Sequence, residues 1–183
     1  RLALLAETAP VVYALQDWSG EGRDVGLYQA YALGRVAFPT PRPHPSPLVE
    51  SGSMASVAPP APAYRPVLPA GVLRDGLVSD AQLETVIYAG EAHSDYLTGW
   101  WTVDETFDVV RAAPVDATDT VRFRRGFMLG DGTGAGKGRQ SAGIILDNWL
   151  QGRRKAVWIS KSDKLIEDAQ RDWSALGMER LLV

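Results

Sequence analysis

The 183-residue chain contains no cysteine, which excludes disulfide bridges and thiolate metal centres. Its two histidines, His44 and His93, are too few to build a histidine metal site. No apolar run approaches the roughly 18 residues that a membrane-spanning helix needs, and no secretory leader pattern is visible. A cytoplasmic setting with no membrane partner is therefore the expectation. Neither kind of residue is in short supply otherwise: 45% hydrophobic and 22% charged residues place the chain among ordinary globular proteins with room for one domain.

Charge and proline are unevenly spread. Residues 1–120 carry 7 Lys/Arg against 15 Asp/Glu, whereas residues 121–183 carry 12 against 7. Arg122, Arg124, Arg125, Arg139, the Arg153-Arg154-Lys155 cluster, Lys161 and Lys164 are thus candidates to meet nucleotide or nucleic-acid phosphates. The alternative is that they are solvated charges at loops and helix ends, where cations suit the helix dipole. Ten of the 12 prolines fall between Pro39 and Pro69. A segment with so many fixed φ angles and missing donors cannot continue a helix or a central strand, so residues 39–76 read as a proline-rich linker or extended strap. Residues 1–38, with apolar clusters at Leu2–Ala14 and Tyr28–Phe38, have no clean period and read as the tail of a preceding region.

The most informative stretch is Gly130-Asp131-Gly132-Thr133-Gly134-Ala135-Gly136-Lys137-Gly138-Arg139. Backbone N–H groups can surround phosphate oxygens only where no Cβ blocks the approach and left-handed dihedrals cost little. Lys137 would reach the β- and γ-phosphates of a nucleoside triphosphate, and the helix that follows would point its N-terminal N–H groups at the same anion. The pattern departs from G-x-x-x-x-G-K-[ST] at Asp131 and at Gly138. The second departure removes the hydroxyl that ordinarily binds the nucleotide's magnesium ion, so Thr133, Ser141 or a water must substitute. A flexible glycine hairpin would explain the glycines but not the lysine or the flanking elements. A dinucleotide-binding turn, Gly130-x-Gly132-x-x-Ala135, requires an acid at the end of the next strand, where Lys161 stands instead.

From Leu77 the pattern is regular. Ser79-Asp80-Ala81-Gln82 is a capping box that opens a helix through Leu83, Val86 and Ile87, closed at Gly90. Trp100-Trp101 and Phe107–Val110 suggest short strands or a helix-loop insertion. Val121–Leu129 reads as a strand leading into the loop, followed by a helix with Ala142, Ile145, Leu146 and Trp149 on one stripe, ended by Gly152. Ala156–Ser160 reads as a buried strand of parallel type. Ser162 or Asp163 then caps a helix through Leu165, Ile166, Ala169, Trp173 and Leu176, ended by Gly177, and Leu181–Val183 looks like another strand beginning. This order predicts the α/β class with a parallel sheet and right-handed crossovers.

The glycine loop, with Gly126–Gly143 and Lys155–Gly177, resembles the strawberry notch family of helicase-like ATPases, particularly bacterial members in which this portion follows a DNA methylase domain. The resemblance covers residues 77–183. It implies part of a RecA-like P-loop NTPase lobe preceded by a proline-rich extended segment, ATP and Mg2+ as cofactors, DNA as partner, and a methylase in the same chain. A glycine after the lysine is characteristic of that family, so Gly138 conforms. By the same resemblance, nucleotide contacts fall to Gly132, Thr133, Gly134, Ala135, Gly136, Lys137, Gly138 and Arg139. Gln82 becomes a reader of the adenine edge, a role that competes with simple capping, and Lys161, Ser162 and Lys164 become nucleic-acid contacts. Ile144-Ile145-Leu146-Asp147 imitates the second magnesium-binding motif but lies inside the helix leaving the loop. The acid of that motif is expected beyond Val183, so the chain reads as an excerpt with no catalytic residue of its own, inactive alone.

Overall fold

The computed structural model describes residues 7–18 and 27–178; the apolar residues before Glu7 and the strand expected at Leu181–Val183 lie outside them. The elements are β1 (Thr8–Pro10), β2 (Ala14–Leu15), β3 (Tyr28–Ala30), β4 (Val36–Ala37), β5 (Val49–Ser51), α1 (Gly52–Ala55), β6 (Val67–Pro69), α2 (Ala70–Arg74), α3 (Asp80–His93), β7 (Trp101–Val103), β8 (Val110–Ala112), α4 (Lys137–Leu150) and α5 (Lys164–Ser174).

The chain is mixed α/β, but the expected parallel sheet does not form among the described residues. Among the described residues every sheet has two strands, β1 with β6, β2 with β4, β3 with β5 and β7 with β8, and every pair is antiparallel. Neither run expected to form a parallel strand does so. Residues 121–129 offer only isolated bridges, Val121 to Trp101 and Arg124 to Tyr96, and residues 156–160 are irregular. A strand exists only where a neighbour takes its N–H and C=O groups. β7 touches the first segment only at Val121, no described strand runs beside the second, and Met128, Val157 and Ile159 stand 90%, 85% and 89% exposed. The short strands suspected around Trp100 and Val110 are present as the β7–β8 pair.

The helices follow the sequence more closely. Ser79 caps α3 with its side chain on the Gln82 N–H, and Gln82 returns a bond to the Ser79 N–H, a complete capping box. Gly90 does not end this helix, which runs on to His93 and is capped by Ser94. Its role is packing: a Cβ built there would lie 2.0 Å from Cε1 of Tyr64, so the absent side chain lets the proline-rich strap cross the helix. Gly90→Ala should therefore destabilise by about 1–3 kcal/mol through overpacking, read as a lower urea midpoint with unchanged slope.

The segment 59–69 is docked along α3 and α4. Pro62, Pro66, Leu68 and Pro69 are buried. Glu91 of α3 accepts the Ala63 and Tyr64 N–H groups at 2.9 and 2.7 Å, and the Tyr88 hydroxyl donates to the Pro60 carbonyl at 2.9 Å. Further upstream the same proline-rich stretch contains β5 and α1, so it is not extended throughout. The core joins Val11, Tyr13 and Val36 to Leu68, Leu83, Ile87 and Leu146, with Leu176 and Met178 closing it from beyond α5. Residues near the N-terminus thus share one core with the helices that carry the glycine loop. Each such buried aliphatic side chain contributes on the order of 1.5–3 kcal/mol.

Candidate functional site

Residues 126–136 run without regular secondary structure into the N-terminus of α4. Two of the glycines do conformational work. Gly134 has φ 95 and Gly136 φ 79, left-handed values that L side chains rarely adopt, and Gly136 is the N-cap of α4, turning the chain so that Lys137 is the first helical residue. Around Gly130, Gly132 and Gly134 a Cβ would meet no atom within 4 Å, so no other part of the described chain packs against the loop there. The opening N–H groups of α4 face no acid of its own first turn, and a helix end of that kind attracts negative charge.

The Lys137 ammonium is folded back over the loop, donating to the Asp131 carbonyl at 2.6 Å and the Gly132 carbonyl at 2.9 Å. These are neutral acceptors that a phosphate oxygen would outcompete, since bonds between two charged groups are the stronger ones. The loop rests on two buried glutamines. Gln82 Nε2 donates to the Ala135 carbonyl at 3.1 Å while its Oε1 accepts the Ser79 N–H at 3.0 Å. Gln140 Nε2 donates to Asp131 Oδ2 at 2.9 Å and to the Ala135 carbonyl at 3.3 Å. Gln140 Oε1 is buried without a hydrogen-bond partner among the described residues, an acceptor that signals a missing donor beneath the loop.

The remaining candidates divide. Gly138 sits in the first turn of α4 beside the carboxylate of Asp172 from α5. Arg139 turns away from the loop and donates to the Leu77 carbonyl at 3.2 Å. Thr133 is exposed in the loop and Ser141 half-buried in α4. Lys161, Ser162 and Lys164 are exposed at the start of α5, and Lys164 precedes Asp172 by eight residues, about 12 Å along a helix. Several of the other basic residues have local roles. Arg122 stacks over Tyr96 at 4.4 Å, Arg125 pairs with Asp95 at 3.1 Å, and Arg153, just past α4, donates to Asn148 at 3.0 Å.

Asp147 is a structural acid. It is 1% exposed and accepts the Tyr64 hydroxyl and the Val67 N–H, both at 2.7 Å, clamping the strap to α4. Burial raises its pKa above the ordinary 3.8, although these hydrogen bonds pull the other way. Glu84 of α3 is similarly buried; burial lifts its pKa, and the Tyr31 hydroxyl and Gly34 N–H oppose the shift.

Comparison with known proteins agrees with the loop geometry. The family described as "P-loop containing NTP hydrolase pore-1" matches residues 43–183. Protein strawberry notch of Drosophila melanogaster is 37% identical over 161 residues, 87% of this chain and 8% of that protein. The chain belongs to the strawberry notch family of P-loop NTP hydrolases. Strawberry notch homolog 1 of Gallus gallus is 37% identical over 140 residues, 76% of the chain and 10% of that protein. Protein FORGETTER 1 of Arabidopsis thaliana is 39% identical over 135 residues, 74% of the chain and 9% of that protein. The chain thus spans no more than a tenth of the length of these curated relatives. No solved structure matches it. No helix among the described residues is long and apolar enough to cross a membrane.

Asp172, Gln140 and the Asp147 clamp escape a reading of the sequence. Only Asp147 leaves a trace there: an acid beside Leu146 on the apolar stripe of α4 signals a buried partner.

Proposed function

We propose that this P-loop NTPase domain is the ATP-binding part of a helicase-like motor that acts on DNA in the full-length protein. The observation that carries the reading is the left-handed Gly136 at the mouth of α4, with the Lys137 ammonium held over an open glycine loop. Amides of residues 132–138 surround the polyphosphate, and Lys137 exchanges its two carbonyl contacts for phosphate oxygens. Gln82 braces the loop through Ala135. At 4% exposure its amide faces protein, so reading an adenine edge requires α3 and the loop to part slightly. The magnesium ion that accompanies such a nucleotide neutralises the β- and γ-phosphates, and Thr133 and Ser141 are hydroxyls near the loop available to hold it.

DNA contacts fall to the exposed Lys161, Ser162 and Lys164, and the resemblance to bacterial proteins with a methylase in the same chain extends the reading to a motor fused to, or acting with, a DNA methylase. ATP hydrolysis by the full-length protein should rise on adding DNA. Replacing Lys161 and Lys164 by alanine together should weaken DNA binding about equally across sequences and lower the magnitude of the salt slope by up to about 2. Hydrolysis indifferent to DNA, with an unchanged salt slope, would leave a P-loop ATPase without nucleic-acid work. Failure to bind ATP at all would leave an interaction module.

A further inference from the structure

Gly138 occupies the position that carries a magnesium-binding hydroxyl in the general phosphate-loop pattern. The space is not left empty. A Cβ built on Gly138 would lie 1.8 Å from Asp172 Oδ2, 2.7 Å from its Cγ and 3.2 Å from its Cβ. The carboxylate oxygen therefore stands little more than a C–O bond length from where that Cβ would be, in the volume that a serine or threonine hydroxyl would fill. Gly138 and Asp172 complement one another: glycine is what lets the carboxylate reach the first turn of α4.

The arrangement is held from behind. Asp172 is half-buried near the end of α5; the next residue, Trp173, packs on the core, and Leu176 is fully buried. Among the described residues the carboxylate has no ion pair or hydrogen bond. Arg171 is paired with Asp168 at 2.8 Å, and the Lys137 ammonium is bonded to loop carbonyls. A carboxylate without a partner beside a phosphate loop suits a hydrated cation, because a carboxylate close to a polyphosphate repels it until a cation stands between them.

We propose that Asp172 takes the place of the hydroxyl that Gly138 lacks and serves as the protein's ligand, directly or through one water, to the divalent cation carried by the nucleotide. This rests on the reading of the loop as a nucleotide site. It makes the site selective for the metal complex over free ATP: the metal-free tetra-anion meets a carboxylate, the complex meets a ligand.

The test is ATP binding to the full-length protein by titration calorimetry, with magnesium or with EDTA, for the native chain, Asp172→Asn, Lys137→Ala and the double variant Gly138→Ser/Asp172→Ala, each checked for a native melting transition. The native protein is expected to prefer the magnesium complex at least tenfold. Asp172→Asn should shrink that preference about tenfold, by weakening the complex and strengthening free ATP, and the double variant should regain it. With Mn2+ and ATP, the electron paramagnetic resonance spectrum of the bound complex should differ between the native protein and Asp172→Asn. An undiminished magnesium preference and an unaltered manganese spectrum in Asp172→Asn, with binding lost in Lys137→Ala, would reduce Asp172 to a helix-end charge and leave the nucleotide site standing. No binding by the native protein in either medium would overturn both.

Discussion

Lys137→Ala is expected to lower ATP affinity of the full-length protein by roughly 10- to 150-fold, the equivalent of about 1.5–3 kcal/mol for a lost hydrogen bond to a charged group. The folded state should hardly notice. The ammonium touches only two carbonyls of a loop whose residues 131–134 are exposed, contacts that water replaces, and surface changes of this kind fall within about 0.5 kcal/mol. Titration calorimetry and thermal melting on the same preparation separate the two effects. Weak ATP binding with an unchanged melting temperature is the expected pair, and native-like affinity in the variant would mean that the phosphates sit elsewhere. Gly136→Ala should lose binding together with stability, because a Cβ there would be 2.3 Å from Gln82 Nε2 and the residue would be held at φ 79.

Asp147→Ala should produce the largest loss of stability, about 2–4 kcal/mol, because the Tyr64 hydroxyl and the Val67 N–H lose their acceptor inside the protein. For a chain of this size that corresponds to a melting temperature lower by about 5–15 °C. Asp147→Asn keeps an acceptor for one donor and removes the buried charge, so its loss should be smaller and pH-dependent. The folded chain holds the Asp147 proton more tightly than the unfolded chain, whose carboxyl stays near 3.8. The native protein therefore loses stability, relative to the asparagine variant, as pH rises from about 3.8 through the raised folded value, and the difference is constant above it. Urea titrations of both proteins across pH 3–7 check this; a difference that widens in favour of the native protein over that window would contradict the burial of the charged form.

What was legible in the sequence was local. Ser79 and Gln82 lie three residues apart, and their reciprocal bonds depend on nothing but the helix they open. The left-handed turn at Gly136 and the stop beyond α4 at Gly152, with φ 91, are likewise written in residues that alone tolerate those dihedrals. Gly90 shows the limit of that kind of reading. Glycine near the end of a periodic run looks like a stop signal, yet its purpose is the aromatic ring of Tyr64 lying across it. The runs 121–129 and 156–160 fail for the opposite reason: apolar residues make a strand only where a neighbouring strand bonds along their length, and composition carries no information about the neighbour.

The sequence by itself determined a phosphate-type loop at the head of a helix, the capping box that opens α3 and the family to which the chain belongs, because each depends on dihedral freedom, hydrogen bonds or residue identities within a short stretch. Only the tertiary structure decided that Asp147 clamps a strap 80 residues away, that Gln82 supports the loop from 53 residues upstream, and that Asp172 fills the place left by Gly138. Those pairings arise when α3 and α4 bury their apolar faces on one another and Trp173 and Leu176 tie the end of α5 to the same core, which fixes distances between residues whose separation along the chain says nothing about their separation in space.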